Sequence, residues 1–232
     1  MSKSLHGISA GNTQQYVTNK TRIVAFGCSF TQGVGLDHRT THMTHYGEYS
    51  LKAWPNLTAR LLSDDQYAVP CVNHGDGGAS SCDVLDHILE EEILPDDIVV
   101  IMWPAPHRSS YMPGKTAGAY ETWTLGCGPD NKHESRYWTM YWSELRSDKT
   151  FERNLYTANS YLKPRCKAVL HIPGPWFGDD GFSFENYCYD WETYDYILDP
   201  FVRLDKAPHD DHYGLQSHTH MAKALHDLLC YG

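Results

Sequence analysis

The sequence predicts an α/β fold of three layers, with helices on both faces of a central parallel sheet. Continuous apolar segments at 23–26, 68–73, 96–103 and 167–174 have the composition of buried strands. Segments whose apolar residues recur at helical spacing alternate with these strands along the chain. Strands that alternate with helices favour a parallel sheet that is covered on both faces.

Size and composition predict one folded domain over 1–232. The chain has 232 residues, 41% of them hydrophobic, and no Gly/Ser-rich or Pro-rich linker divides it. Its net charge of −10, without a long run of Lys or Arg, argues against nucleic acid as a partner. No segment approaches the roughly 20 apolar residues of a membrane helix, and the first residues lack the apolar stretch of a signal peptide. We therefore expect a soluble protein, made in the cytoplasm, with no membrane partner.

The residues that commonly bind metals show no metal-binding pattern. The seven cysteines are scattered, without a C-x-x-C pair, which predicts reduced thiols rather than zinc or a redox centre. His38, His42 and His45 lie in a polar segment without a neighbouring ligand pattern, which favours a solvated loop. We expect no metal and no organic cofactor.

The first half of the chain supplies two strands and two helices. Gly27 ends the IVAF strand, and after a polar loop at 37–50 a helix follows that ends at 63–65. The second strand, AVPCVN, leads into the Gly-rich segment HGDGGASS. Ser80 and Asp83 then form a predicted capping box at the start of a second helix. The apolar faces of the two helices consist of Trp54, Leu57, Leu61 and Leu62, and of Val84, Leu85, Ile88 and Leu89.

The second half is less regular. Proline residues after position 103 end the third strand, and 105–150 is an aromatic-rich insertion that leads into a helix over 147–162. The last strand, at 167–174, is followed by a long connection over 175–208. A closing helix over 215–229 carries one apolar stripe.

Candidate functional residues lie in loops that follow the predicted strands, where sites in parallel sheets form. Ser29 lies between a strand end and a helix start, among backbone N–H groups that suit a nucleophile and its oxyanion. Glycines in the second loop let backbone N–H groups approach a substrate, so Gly78 is a candidate oxyanion donor. His212, next to acidic residues before the closing helix, is the candidate base.

Three segments in order, GCSFTQG, NHGDGGAS and DDHYGLQSHTHMA, together resemble the SGNH/GDSL hydrolase superfamily. The resemblance extends from about Ile23 to Leu229 and implies a flavodoxin-like fold of the SGNH-hydrolase type. The first block implies that Ser29 is the nucleophile, with Cys28 at the position of the family's Asp.

The other blocks imply the remaining roles. The second block runs from Asn73 to Gly78 and implies that the N–H groups of Ser29 and Gly78 hold the oxyanion. The last block aligns His212 with the catalytic base and His218 with a second His that is usually structural.

Two positions depart from the family's pattern. His209 stands where the family usually has the Asp that orients the base; because a D-x-H version occurs among similar proteins, Asp210 is the first candidate and Asp211 the reserve. The third block, G-x-N-D, is replaced by MWPAPHRSS, so the oxyanion hole lacks its side-chain donor in the expected place. Arg108 or His107 is a candidate replacement. The pattern from Trp103 to Arg108 resembles the GDSL-like proteins of tailed phages.

Two hypotheses follow. In the first, the protein is a serine esterase that removes an acyl group, such as acetyl, from a carbohydrate or another small ester. In the second, it is a phage virion protein that uses the fold for structure or glycan binding, with other virion proteins as partners and weak or no catalysis. Under both hypotheses we predict that His171 and His218 are hydrogen-bonded core residues.

Overall fold

The structure is a computed structural model, and it describes most of the chain. The described residues are 18, 20–37, 49–106, 108–111, 123–125, 144–175, 177, 184–188, 194, 196–199, 201–209 and 211–231. Within them, seven strands form a five-stranded parallel sheet and a separate antiparallel pair.

The strands and helices have the following bounds. The strands are β1 (Ile23–Gly27), β2 (Cys71–Gly75), β3 (Ile98–Trp103), β4 (Ser109–Tyr111), β5 (Trp123–Leu125), β6 (Ala168–Pro173) and β7 (Tyr196–Ile197). The helices are α1 (Ser29–Gln32), α2 (Trp54–Leu62), α3 (Ser81–Glu90), α4 (Glu144–Leu162) and α5 (Leu215–Tyr231), with a 3-10 helix at Phe184–Tyr187. Among these helices none is both long and apolar enough to cross a bilayer.

The large sheet has the order β2-β1-β3-β6-β7, and helices lie on both of its faces. On one face α2 packs against α5, where the Trp54 backbone N–H donates to His218 Nδ1 at 3.1 Å. On the other face α3 packs against α4, where Asn154 Nδ2 donates to Ser81 Oγ at 3.1 Å. The three-layer α/β fold expected from the sequence is therefore confirmed.

The centre of the sheet is the core of the protein. Every residue of β1, β3 and β6 is buried, as expected for strands covered by helices on both faces. The predicted capping box at the start of α3 is also present, because Ser80 Oγ accepts from the Asp83 N–H and Asp83 Oδ2 accepts from the Ser80 N–H. Buried strands and a capped helix thus match their sequence patterns.

Several boundaries differ from the prediction. The second strand covers Cys71–Gly75 rather than 68–73, because Pro70 has no N–H to donate and the pairing with β1 continues to Gly27 and Gly75. The predicted helix over 147–162 begins three residues earlier, at Glu144. The short strand β7 and the 3-10 helix lie in the connection over 175–208, where the sequence showed no regular pattern. Strands β4 and β5 lie in the insertion, of which 112–122 and 126–143 lie outside the described residues.

His171 is a fully buried residue of β6 and connects three elements. Its Nδ1 accepts from Trp103 Nε1 at 3.0 Å, and its Nε2 lies 3.2 Å from Asn159 Oδ1. Since Nδ1 is the acceptor, the proton lies on Nε2 and is donated to Asn159. Burial lowers the pKa of His171 to about 3. The prediction of a hydrogen-bonded core residue is confirmed.

We predict that His171 makes the protein less stable in mild acid. Its pKa is near 6.5 in the unfolded chain and about 3 in the folded protein, so only the unfolded chain binds this proton between those values. Stability from this group is complete above pH 6.5 and falls as the pH falls below it. Urea unfolding of wild type and His171→Gln at pH 7.5 and 5.5 should show about 1.4 kcal/mol less pH dependence in the variant.

The matched control for this prediction is Asn159→Ala. It breaks the same buried hydrogen bond but retains the imidazole, so we expect it to lose stability at both pH values while it keeps the wild-type pH dependence. Equal pH dependence in His171→Gln and Asn159→Ala would contradict the prediction.

Candidate active site

Ser29 lies at the turn where β1 ends. Cys28 is the N-cap residue of α1, although its side chain makes no capping hydrogen bond, and Ser29 is the first residue of that helix. Backbone N–H groups in the first turn of a helix have no partner within the helix, so the Ser29 N–H suits an outside acceptor. The residue itself is only 3% exposed, which places its hydroxyl in a confined position.

His212 reaches this turn from a hairpin that precedes α5. The Ala207 N–H donates to the His212 carbonyl at 2.8 Å, and Lys206 pairs with Tyr213 in an antiparallel bridge. The imidazole Nε2 lies 2.8 Å from Ser29 Oγ, and the ring packs against Phe30 with 5.0 Å between centroids. The structure therefore brings the predicted nucleophile and the predicted base within hydrogen-bond distance.

Asn73 joins the loop after β1 to the end of β2. Its Nδ2 donates to the Thr31 carbonyl at 2.9 Å, and its Oδ1 accepts from the Gly75 N–H at 2.8 Å. The Asn73 residue is 8% exposed and uses both ends of its amide in this way, so it connects α1 to the end of β2.

Gly78 lies in a tight turn directly after β2. The Asp76 N–H donates to the Gly27 carbonyl at 3.0 Å, and the Ala79 N–H donates to the Asp76 carbonyl at 3.1 Å. Gly78 is the third residue of that turn and has a φ of +89°, which glycine adopts without strain. The bond from Asp76 to Gly27 anchors the turn that carries Gly78 to the end of β1.

Asp76 lies in the same turn. Burial, together with the nearby Asp83, raises the pKa of its carboxyl group, whereas His87 acts in the opposite direction.

The strand β3 ends at Trp103, and the segment in which the family resemblance implies an Asn begins there. Trp103 is fully buried, and its indole N–H is donated to His171. Arg108 is half-buried, and its backbone N–H donates to the Ala105 carbonyl at 3.1 Å. His107, the other candidate donor, lies outside the described residues.

Of the two acids that could orient His212, the structure describes only Asp211. Asp210 lies outside the described residues. Asp211 has a side chain that is 86% exposed, and its Oδ1 lies 2.5 Å from Lys206 Nζ on the outer side of the hairpin. His209, which stands at the family's Asp position, donates its backbone N–H to the Gly35 carbonyl at 3.3 Å.

His218 is a residue of α5 and lies in the core, where α5 packs against α2. It accepts from the Trp54 N–H and packs edge-on against Phe201 with 5.2 Å between ring centroids. Burial lowers the pKa of His218 to about 3, so it is neutral at neutral pH. The prediction of a hydrogen-bonded core histidine is confirmed here as well.

Metal-binding residues do not cluster in the described part of the chain. No three His, Cys, Asp or Glu side chains there come together as a metal site requires. The segment with His38, His42 and His45 lies outside the described residues.

Two bonded residues at the base of the hairpin with His212 were not singled out by the sequence. Asp205 and Ser217 hydrogen-bond to each other at the base of the hairpin, with 2.9 Å between Asp205 Oδ1 and Ser217 Oγ. Capping motifs that are visible in a sequence join residues about three positions apart, whereas this pair is 12 positions apart. No local pattern could have identified it.

Comparison with known proteins shows likeness at the level of the fold. No protein-family model matches the chain, and no curated protein matches it in sequence. A carbohydrate esterase family 2 enzyme plus carbohydrate binding domain from Corynascus thermopiles (Myceliophthora fergusii) is 12% identical with a TM-score of 0.54. The match covers 90% of this chain and 65% of that chain, so this chain spans less than two thirds of that structure.

Two further solved structures are similar. One is of a carbohydrate esterase whose active site displays divergent catalytic and non-catalytic binding functions; it is 12% identical, has a TM-score of 0.50, and the match covers 91% of this chain and 67% of that chain. The other, a member of the lipolytic protein G-D-S-L family from Veillonella parvula, is 10% identical with a TM-score of 0.47, and the match covers 88% of this chain and 97% of that chain. The first two matches show that this chain shares the fold of carbohydrate esterases.

We predict that Gly75 tolerates no side chain, whereas its neighbour Gly77 does. A Cβ at Gly75 would lie 2.1 Å from the Gln32 backbone N, which cannot move without displacing α1. A Cβ at Gly77 would lie 3.0 Å from Gln32 Oε1, the end of a flexible side chain. Gly75→Ala should lower the free energy of unfolding by about 2 kcal/mol or more, and Gly77→Ala by less than about 1 kcal/mol.

Urea unfolding of both variants tests this expectation. Equal losses would mean that the loops after β1 and β2 are not in backbone contact.

Proposed function

We propose that the protein is a serine esterase of the SGNH type, with Ser29 as nucleophile and His212 as general base. The observation that carries this proposal is the distance of 2.8 Å between Ser29 Oγ and His212 Nε2 at the carboxyl end of a parallel sheet. A serine hydroxyl becomes a useful nucleophile when a base accepts its proton during attack, and this contact supplies that base.

The reaction proceeds through an acyl-enzyme. Ser29 Oγ attacks the ester carbonyl carbon while its proton moves to His212 Nε2, and the oxyanion is held by the backbone N–H groups of Ser29 and Gly78. Collapse of the tetrahedral intermediate breaks the bond to the alcohol, which leaves with the proton from His212. Water then attacks the acyl group with His212 as base, which releases the acid and restores Ser29.

The oxyanion hole in this mechanism relies on backbone donors. The segment MWPAPHRSS contains no Asn, and the indole N–H of Trp103 is already donated to His171 at 3.0 Å. Loss of one oxyanion donor lowers the rate on the order of 100-fold. We propose Arg108 or His107 as the replacement donor, since both follow Trp103 closely in the sequence.

A small acyl group on a carbohydrate is the substrate that we favour. Ser29 is 3% exposed, which favours a short acyl chain such as acetyl over a long one. Two similar structures with TM-scores of 0.54 and 0.50 are carbohydrate esterases, which supports a carbohydrate ester over other small esters. The hypothesis of a virion role, with other virion proteins as partners, stays a prediction.

Glycan binding without turnover is the second candidate function. The similar carbohydrate esterase with divergent catalytic and non-catalytic binding functions favours it, as does the altered third block of the sequence. The activity test below separates the two candidates, because binding without turnover leaves no signal that depends on Ser29.

We predict that hydrolysis of p-nitrophenyl acetate depends on Ser29 and His212 but not on Cys28. Ser29→Ala and His212→Gln should each lower kcat on the order of 1,000-fold or more, because attack and proton transfer are one step. Cys28→Ala is the matched control: the thiol is buried at the adjacent position and makes no capping hydrogen bond, so kcat should stay within about threefold of wild type. Equal rates in wild type and Ser29→Ala would refute the esterase proposal.

We also predict that Asp210, rather than Asp211, orients His212. Asp210→Asn should lower kcat on the order of 100-fold or more, because the carboxylate holds the productive tautomer and stabilises the imidazolium. Asp211→Asn should have little effect, since that side chain is exposed and lies against Lys206. The comparison of kcat in the two variants shows which carboxylate orients His212. A loss of kcat confined to Asp211→Asn would reverse the assignment.

A further inference from the structure

The hairpin that carries His212 is fastened at its base to the first turn of α5. Asp205 Oδ1 accepts from the Ser217 N–H at 2.9 Å, and Asp205 Oδ2 accepts from the Gln216 N–H at 3.0 Å. First-turn N–H groups usually bond to the side chain of the residue just before the helix. Here the acceptor is Asp205, which lies on the first strand of the hairpin. Its side chain therefore bonds the hairpin to the first turn of α5.

Ser217 completes this connection from the helix side. It is fully buried, and its hydroxyl accepts from the Leu204 N–H at 2.9 Å and from the Asp205 N–H at 3.2 Å. The same hydroxyl donates to Asp205 Oδ1 at 2.9 Å. A serine hydroxyl has one donor and two acceptor positions, and all three are used.

The returning strand of the hairpin passes directly over this pair. The Gly214 N–H donates to the Asp205 carbonyl at 3.0 Å, and a Cβ on Gly214 would lie 2.3 Å from Asp205 Oδ2. Burial alone would raise the pKa of Asp205, but the hydrogen bonds from Gln216 and Ser217 outweigh it and hold the pKa below its usual value. We call Asp205, Gly214 and Ser217 the clasp.

A short ladder connects the clasp to His212. Its first step is the bond between Asp205 and Gly214. The next steps toward His212 are the bridge of Lys206 with Tyr213 and the bond from the Ala207 N–H to the His212 carbonyl. The position of the imidazole is therefore set by a hairpin whose base is bonded to α5.

The structure assigns Asp205 and Ser217 a positioning role for the catalytic base: the clasp holds His212 Nε2 at the Ser29 hydroxyl. This assignment rests on the proposed esterase function. Neither residue touches Ser29, so their effect passes through the placement of His212. A misplacement of about 1 Å at a reacting group can lower a rate on the order of 100-fold.

The test compares clasp variants with a control of the same chemistry elsewhere. Asp205→Ala and Ser217→Ala break the clasp, and Asp205→Asn retains one oxygen acceptor. The matched control is Asp64→Ala, because Asp64 Oδ1 accepts from the Gln66 and Tyr67 N–H groups at 2.8 and 2.7 Å in a turn before β2. That turn lies at the amino ends of the strands, away from Ser29.

We expect the clasp variants to change kcat and not KM. With p-nitrophenyl acetate, Asp205→Ala and Ser217→Ala should lower kcat roughly 10-fold to 100-fold with KM within twofold, and Asp205→Asn should recover most of the loss. Asp64→Ala should lower the melting temperature to a similar degree and leave kcat within twofold. Wild-type kcat in Ser217→Ala, or an equal fall of kcat in Asp64→Ala, would overturn the positioning role.

A second measurement separates this inference from the proposed function. The NMR signals of the His212 ring, assigned by their loss in His212→Gln, should move in the clasp variants and stay in place in Asp64→Ala. If wild type hydrolyses no ester, the esterase proposal fails and the NMR comparison decides the positioning role alone: unmoved His212 signals in the clasp variants overturn it. If Asp205→Ala does not fold, Ser217→Ala carries both measurements, with Asp205→Asn as the conservative variant that should stay close to wild type.

Discussion

The candidate site depends on a backbone contact between α1 and the end of β2. Gly75 lies so close to Gln32 that a Cβ would stand 2.1 Å from the Gln32 N, and the Asn73 amide bonds to the Thr31 carbonyl in α1 and to the Gly75 N–H in β2. Close backbone packing leaves the Ser29 turn little freedom to move relative to the turn with Gly78. The proposed nucleophile and the proposed oxyanion donors therefore belong to one rigid unit, which a hydrolytic mechanism needs before substrate arrives.

Three histidines show how environment decides the role of one residue type. His171 and His218 lie in the core, where burial lowers the pKa of each to about 3 and the rings serve as neutral hydrogen-bonding groups. His212 is half-buried at the edge of the same core and meets the Ser29 hydroxyl. A general base must become protonated during the reaction, and burial disfavours the protonated form of His171 and His218, so neither core histidine suits that role.

The carboxyl end of β3 belongs to the core of the protein. The indole of Trp103 is fully buried and joins β3 to β6 through its hydrogen bond to His171. Its N–H is therefore directed into the core and not toward Ser29. In the proposed mechanism the oxyanion consequently relies on backbone donors.

The sequence alone determined the fold class and the three central strands, because continuous apolar segments are local signals. Short motifs in it also singled out Ser29 and His212 as candidates. It could not place the two-residue strand β7, the start of α4 at Glu144 or the clasp. Each of these depends on partners distant in the chain, and no local pattern records which partners meet. Only the tertiary structure brought together Ser29 and His212, which are 183 positions apart, because their distance is set by the packed sheet and the clasped hairpin rather than by either segment itself.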